Sequence, residues 1–181
     1  QRQGERYAAL IRPAVEALSL VLAQTEADAQ RLRAAGARDV RVSGNLKFDM
    51  APEPALVSRG ADWRAALAGR PVLLFAVSRE GEEAPLLAAW ARRRASLPAH
   101  ALLVIVPRHP QRFDEVAALM QGAGLSVARR SAWSEAPPGD AFAADAWLGD
   151  SMREMPLYYG LGQVALLGGS FAPLGGQNLI E

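Results

Sequence analysis

A glycine-rich stretch near the end of the chain carries a strong chemical signal. Residues 163–167 (QVALL) form an apolar run of strand length, and residues 168–170 (GGS) follow it directly. Residues 175–178 (GGQN) then open a predicted helix. Glycine lets a ligand approach the backbone closely, and a helix N-terminus presents unpaired N–H groups that suit a phosphate. The stretch 149–181 therefore predicts a nucleotide-binding corner.

Two basic residues follow predicted strands. Arg108 comes after the apolar run 102–106, where a guanidinium can bind a phosphate through two hydrogen bonds. A surface Arg that caps a neighbouring helix is the alternative. Lys47 is the single Lys among 20 basic residues, and it would project from the carboxyl edge of a sheet, where ligands of open α/β sheets bind. A compact point charge suits such a site, and chance in an Arg-rich composition is the other explanation.

Two polar pairs have the spacing of helix caps. Ser151 with Glu154, and Asn178 with Glu181, follow a pattern in which a capping side chain precedes a Glu by three residues. Capping alone would explain both pairs. In the functional interpretation of the second pair, Glu181 accepts hydrogen bonds from ribose hydroxyls.

The elements that would position these residues alternate along the chain. Strands are predicted at 20–23, 40–43, 71–77, 102–106, 127–131, 144–148 and 164–167. Helices are predicted at 7–18, 26–35 (capped by Thr25), 56–67, 78–96 (capped by Ser78), 111–121 and 152–159. Continuous apolar strands alternating with helices indicate an α/β fold, with a parallel sheet flanked by helices. Residues 51–54 (APEP) resist both structures and predict a linker at a domain boundary.

The composition excludes several classes of function. A chain of 181 residues, half of them hydrophobic, can bury one sizeable core or one domain plus part of another. The net charge of +1 argues against a nucleic-acid surface. With no Cys and two His, no disulfide and no Cys- or His-rich metal site is expected. The charge-free run 156–180 is rich in glycine, which favours a buried strand and a loop over a membrane span.

Four motifs, in one order, resemble those of a known family. They are residues 44–49 (GNLKFD), 78–83 (SREGEE), 107–110 (PRHP) and 149–181. With them the chain resembles the C-terminal portion of 3-deoxy-D-manno-octulosonic acid (Kdo) transferases. These lipopolysaccharide glycosyltransferases move Kdo from CMP-Kdo to a lipid A precursor, lipid IVA. The lack of a Gly-x-Gly-x-x-Gly motif after a strand weighs against a dehydrogenase.

The resemblance implies a GT-B architecture of two Rossmann-like domains, of which the chain holds mostly the C-terminal one. Residues 1–50 would be the last elements of the N-terminal domain, and residues 51–70 the linker and connecting helix. Residues 71–181 would form the truncated CMP-Kdo-binding domain.

The resemblance also implies roles for single residues. Lys47 matches a lysine that stabilises the transition state. The residues that match CMP contacts are Pro107, Arg108, Met152, Arg153, Glu154, Asn178, Leu179, Ile180 and Glu181. Three positions depart from the family pattern: Arg79 and Gln177 stand where His is common, and Arg153 stands where Gly is usual.

The implied reaction is an inverting transfer without a metal or another cofactor. Its partners would be CMP-Kdo and the lipid A precursor, with no nucleic acid. The general base of the family is a Glu in a segment absent here, so the chain alone is expected to bind nucleotide without catalysis. Location at the cytoplasmic face of the bacterial inner membrane, through peripheral contacts of absent parts, is implied in the same way. The alternatives are a non-catalytic nucleotide-binding module and another GT-B enzyme, such as a sugar-nucleotide epimerase.

Overall fold

The computed structural model describes residues 8–45, 49, 51–98, 100–169 and 171, with side chains from residue 11 onward. These residues form two compact units, one up to Ala51 and the other from Pro52 onward.

The first unit is a small β-α-β arrangement preceded by a helix. Its elements are α1 (Ala8–Glu16), β1 (Val21–Ala23), α2 (Glu26–Ala34) and β2 (Val40–Val42). The two strands pair in parallel, with Val21 opposite Val40. The predicted cap of α2 is confirmed, because the Asp28 amide donates to Thr25 Oγ1 at 3.1 Å.

The second unit contains a parallel sheet with helices on both faces. Its elements are α3 (Pro54–Ala66), β3 (Val72–Ser78), α4 (Glu83–Arg93), β4 (Leu102–Pro107), α5 (Phe113–Gly122), β5 (Val127–Arg129), α6 (Gly139–Ala143), β6 (Ala146–Leu148), α7 (Met155–Leu161) and β7 (Val164–Leu167). Among the described residues, the five strands lie in the order β5-β6-β4-β3-β7, and every neighbouring pair is parallel. The predicted α/β class is confirmed.

The core lies on both faces of the two central strands. Successive side chains of a strand point to opposite faces, so Leu74 and Val104 join one buried cluster while Phe75 and Ile105 join the other. Helices cover both faces, which explains why β3 and β4 are almost continuously apolar and buried.

Two glycines bring α3 and α7 into close contact. A Cβ atom at Gly60 would lie 2.0 Å from the Leu157 carbonyl oxygen, and one at Gly160 would lie 2.4 Å from the Val57 carbonyl oxygen. Neither position has room for a side chain. The crossing fixes α7 on the sheet, and with α7 the turn at Glu154 that precedes it.

Two predicted helices begin later than expected. Ser78 stays in β3 and does not cap α4, which begins at Glu83. Residues 79–82 form a turn instead, with Gly81 at a φ of +86°. In the same way, α7 begins at Met155 rather than at residue 152, because Arg153 has a φ of +63° and cannot be part of a right-handed helix.

Three predicted strands also differ from the structure. The strand predicted at 144–148 begins at Ala146. The strand predicted at 127–131 ends at Arg129, and a 3₁₀ turn, Arg130–Ala132, follows it. The run that contains β7 was expected to be buried, but Val164 is 58% exposed. In the described part of the sheet, β7 is an edge strand with β3 as its partner, so its apolar sequence does not imply coverage on every side.

Candidate nucleotide-binding site

The loops that follow four neighbouring strands meet at the carboxyl edge of the second unit's sheet. The Arg108 amide donates to the Ser78 carbonyl at 3.0 Å, which joins the loops after β4 and β3. The Gly149 amide donates to Ile105 of β4, and the Gly168 amide donates to Ala76 of β3, both at 2.8 Å. Ligands of open α/β sheets bind at this edge. The predicted regions around Arg108, Gly149 and Gly168 therefore share one edge.

Glycine at this edge is required by contacts within the protein. A Cβ at Gly168 would lie 2.1 Å from the Val77 carbonyl oxygen, and a Cβ at Gly149 would lie 2.6 Å from Val106 Cγ2. Val77 itself has a φ of +58°, next to an irregularity in the β3–β4 register. Such a conformation is costly for a β-branched residue and is found mainly at functional sites.

The loop after β7 is bonded to Glu82. The Gly169 amide donates to the two carboxylate oxygens at 2.8 and 2.9 Å, and the Phe171 amide donates at 3.0 Å. Glu82 is 1% exposed, although acidic residues are almost always at the surface unless they are paired. These two amides of the glycine-rich loop are thus directed at a protein carboxylate and are not left open for a ligand phosphate.

A buried ion pair supports the loop after β4. The Glu83 carboxylate accepts hydrogen bonds from Ser78 Oγ and Arg112 Nη1, each at 2.8 Å. Arg112 also bonds Glu115 at 2.9 Å, and its hydrogen bonds to Glu115 and Glu83 raise the pKa of its guanidinium above the ordinary value. Sequence reasoning missed this pair because Glu83 and Arg112 are 29 positions apart and no local spacing relates them.

Arg108 and its neighbours lie where the sequence predicted a phosphate contact. Pro107 is the buried last residue of β4, and the side chains of Arg108 and His109 are exposed at the sheet edge. An exposed guanidinium at this edge can reach a bound phosphate.

The predicted capping box of Ser151 and Glu154 is wrong. Ser151 Oγ bonds the Tyr158 hydroxyl at 2.7 Å, and α7 has no side-chain cap. Burial raises the pKa of that hydroxyl. Glu154 Oε1 instead accepts a hydrogen bond from Arg130 Nη2 at 2.7 Å. Capping by Glu154 therefore fails, and its contact with a nucleotide stays a prediction.

Arg130, which binds Glu154, also lies close to two tryptophan rings. Its guanidinium lies 5.3 Å from the centre of the Trp63 ring and 6.0 Å from that of Trp133. The second Glu154 oxygen, Oε2, is buried and has no hydrogen-bond partner in the described part of the chain. The sequence contained no signal for the pairing of Arg130 with Trp63 and Glu154, because both residues are far from it along the chain.

The turn before Glu154 has a conformation that favours glycine. Met152 is 61% exposed, and Arg153 is exposed with a φ of +63°. That φ explains why a glycine would suit position 153, where the family resemblance also expects one.

Asp150 anchors the start of this turn. Its carboxylate accepts hydrogen bonds from Arg129 Nε at 2.6 Å, from the Ser131 amide at 2.8 Å and from Ser131 Oγ at 2.7 Å. The loops after β5 and β6 are thereby joined.

Lys47, Gln177, Asn178, Leu179, Ile180 and Glu181 lie outside the described residues, so their roles stay predictions. Across the described ranges, no three His, Cys, Asp or Glu side chains lie together in a way that could hold a metal ion. No helix formed by those residues is long and apolar enough to cross a bilayer.

Known proteins match both units. A family model described as 3-deoxy-D-manno-octulosonic-acid transferase (kdotransferase) matches residues 1–50. A 3-deoxy-D-manno-octulosonic acid transferase of Bordetella pertussis is 49% identical over 183 residues, which cover 99% of this chain and 42% of the relative. The enzyme of the same name from Haemophilus influenzae is 32% identical over 91% of this chain and 38% of the relative. The chain thus spans about two fifths of the length of these curated relatives.

A solved structure is similar to much of this chain. It is the crystal structure of the C-terminal CMP-Kdo binding domain of WaaA from Acinetobacter baumannii, with a TM-score of 0.62 and 34% identity. The similarity covers 70% of this chain and 65% of that one. From the two relatives, the family model and this fold, the chain belongs to the 3-deoxy-D-manno-octulosonic acid transferase family.

Proposed function

We propose that the chain is part of a glycosyltransferase of lipopolysaccharide biosynthesis that transfers Kdo from CMP-Kdo to a lipid A precursor. In this proposal the unit from Pro52 onward binds the donor. The observation that carries the proposal is the meeting of four loops at the carboxyl edge of the sheet, in a fold similar to a CMP-Kdo binding domain.

The CMP part of the donor is bound by side chains and turns at this edge. Arg108, whose side chain is exposed beyond β4, donates hydrogen bonds to the phosphate. The turn of Met152, Arg153 and Glu154 contacts the cytidine base or the phosphate. The segment from Asn178 to Glu181 contributes helix N-terminal amides for the phosphate and the Glu181 carboxylate for the ribose hydroxyls.

The reaction is an inverting transfer that needs no metal. A hydroxyl oxygen of the acceptor forms a bond to the anomeric carbon of Kdo while the bond from that carbon to the CMP phosphate oxygen breaks. The hydroxyl proton passes to a carboxylate base supplied by a part of the enzyme that this chain does not contain. Lys47 offsets the negative charge that develops on the departing CMP. On its own, this chain binds the donor without turnover.

The acceptor lipid sets where the reaction takes place. A lipid A precursor resides in a membrane, so the whole enzyme works at a membrane surface. The family resemblance implies that this is the cytoplasmic face of the inner membrane, reached by peripheral contact. An assay of the full-length protein with CMP-Kdo and the lipid A precursor, in which the added Kdo units are counted, tests this part of the proposal.

The donor site can be tested on this chain by calorimetric titration with CMP, UDP and NAD. We expect binding of CMP alone. Arg108→Ala should weaken it by about 1.5–3 kcal/mol, the usual contribution of hydrogen bonds to a charged group. The matched control is Arg92→Ala, which removes the same charge from an exposed residue in the last turn of α4. Equal binding of UDP or NAD, or an unchanged CMP affinity in Arg108→Ala, would contradict the proposed site.

A further inference from the structure

The Glu82 carboxylate joins two segments that are far apart in the chain. It accepts the amide hydrogen of Arg79, in its own turn, at 3.0 Å. It also accepts the amide hydrogens of Gly169 and Phe171, which are 87 and 89 positions away, at 2.8 to 3.0 Å. Both carboxylate oxygens therefore bind backbone amides, one of them in the turn after β3 and two in the loop after β7.

These hydrogen bonds are important because the Glu82 carboxylate is buried. Glu82 is 1% exposed, and a carboxylate removed from water is tolerated only when hydrogen bonds replace its hydration. Bonds from amides to a charged acceptor are about twice as strong as bonds between neutral groups. The carboxylate thus selects the one loop conformation in which the amides of Gly169 and Phe171 point toward it.

The loop begins with two glycines, which do not fix a backbone conformation by themselves. Gly169 has a φ of +80°. In a free loop, a glycine would populate many other backbone conformations as well. Gly168 lies against the Val77 carbonyl, so one end of the loop is fixed by β3, and the amides of Gly169 and Phe171 are bonded to Glu82.

We propose that Glu82 is a positioning residue, which holds the loop after β7 in the conformation that the CMP donor site requires. The inference rests on the proposed function, because donor affinity is the property that Glu82 would control. Glu82 itself does not contact the donor, since its carboxylate is directed at backbone amides within the protein.

The test compares Glu82→Gln with Glu80→Gln. Gln has the shape of Glu but a single acceptor oxygen, so it cannot accept from all of these amides. Glu80 is exposed in the same turn and provides a control with the same chemical change. In NMR spectra, the amide protons of Gly169 and Phe171 should shift in Glu82→Gln alone. The affinity of folded Glu82→Gln for CMP should fall by at least about tenfold, equivalent to about 1.4 kcal/mol.

A second pair of variants leaves Glu82 unchanged, and both members lose the Phe171 ring and its contact with Phe75. Phe171→Pro deletes the amide hydrogen that donates to Glu82, whereas Phe171→Ala keeps it, at a residue that is 59% exposed. Weaker CMP binding in Phe171→Pro than in Phe171→Ala supports the inference.

The outcomes separate the inference from the proposed function. If Glu82→Gln and Phe171→Pro lost only stability and bound CMP like their controls, Glu82 would be a structural residue and the inference would be overturned. If the wild-type chain itself failed to bind CMP, the proposed function would fail and the role of Glu82 in donor binding would fail with it.

Discussion

Arg130 and Glu154 form a hydrogen-bonded ion pair of 2.7 Å, with side chains that are 9% and 16% exposed. The pair joins the 3₁₀ turn after β5 to the turn before α7, and the rings of Trp63 and Trp133 lie close to the guanidinium. Glu154, which is proposed to contact the donor, is thus held in place by Arg130, and no local spacing in the sequence relates the two residues.

Removal of Arg130 should destabilise the second unit. Arg130→Met leaves the Glu154 carboxylate buried without its partner, and breaking a buried pair in this way costs about 3–5 kcal/mol. Urea unfolding followed by tryptophan fluorescence measures the loss. The double variant Arg130→Met/Glu154→Gln should recover part of it, because the uncompensated charge is gone. A double variant as unstable as the single one would show that packing, not charge, dominates.

Gly160→Ala should disrupt the crossing of α3 and α7. The added methyl group would lie 2.4 Å from the Val57 carbonyl oxygen, and overpacking of this kind costs about 1–3 kcal/mol. Gly122→Ala in α5 is the control, since a Cβ there meets no atom within 4 Å. We expect the control to be neutral or slightly stabilising in thermal unfolding. Equal effects of the two substitutions would contradict the close approach of the helices.

Position 153 should prefer glycine. Arg153 is exposed and has a φ of +63°, a conformation that costs a residue with a Cβ about 1–2 kcal/mol. Arg153→Gly should therefore be more stable than Arg153→Ala by about 1 kcal/mol in chemical denaturation. Both variants lose the same charge, so they differ only in the Cβ atom of Ala and its effect on the backbone conformation. A more stable Ala variant would mean that the turn does not have this conformation in solution.

Loss of Lys47 should impair turnover more than binding. In the full-length enzyme, Lys47→Ala should lower kcat by about 10²–10³-fold, which is the usual cost of removing one group that stabilises transition-state charge. The affinity for CMP, measured by titration, should largely survive, and Lys47→Arg should restore only part of the rate because its planar group differs in shape. Turnover near that of the wild type would remove Lys47 from the proposed mechanism.

Asp145 should make stability depend on pH in the acid range. Its hydrogen bond from the Ser126 amide lowers the pKa of its carboxyl group, with further contributions from Ser126 Oγ, Arg94 and Arg70. A lowered pKa stabilises the fold above the unfolded-state pKa of about 3.9, and this stabilisation disappears as the pH falls through the folded-state value. The stability difference between the wild type and Asp145→Asn should therefore shrink from about pH 6 to about pH 2. A difference that stays constant would exclude the assigned cause.

Strong local signals in the sequence were sufficient for much of the second unit. The runs that form β3 and β4 are continuous and apolar, so both could be predicted as buried strands of a parallel sheet. The first residues of the helices were less predictable from the sequence. The spacing of Ser151 and Glu154 matched a cap, but Arg130 competes for Glu154, and a contact across 24 positions leaves no trace in local spacing.

The order of residues by itself determined the α/β class, the apolar strands and the position of Arg108 after a strand, because periodicity and strand ends are local properties. Only the tertiary structure decided the partners of the buried charges: Glu82 with the amides of Gly169 and Phe171, Glu83 with Arg112, and Glu154 with Arg130. A buried carboxylate takes whichever donors the packed chain brings to it, and those donors come from segments that only the folded sheet places side by side.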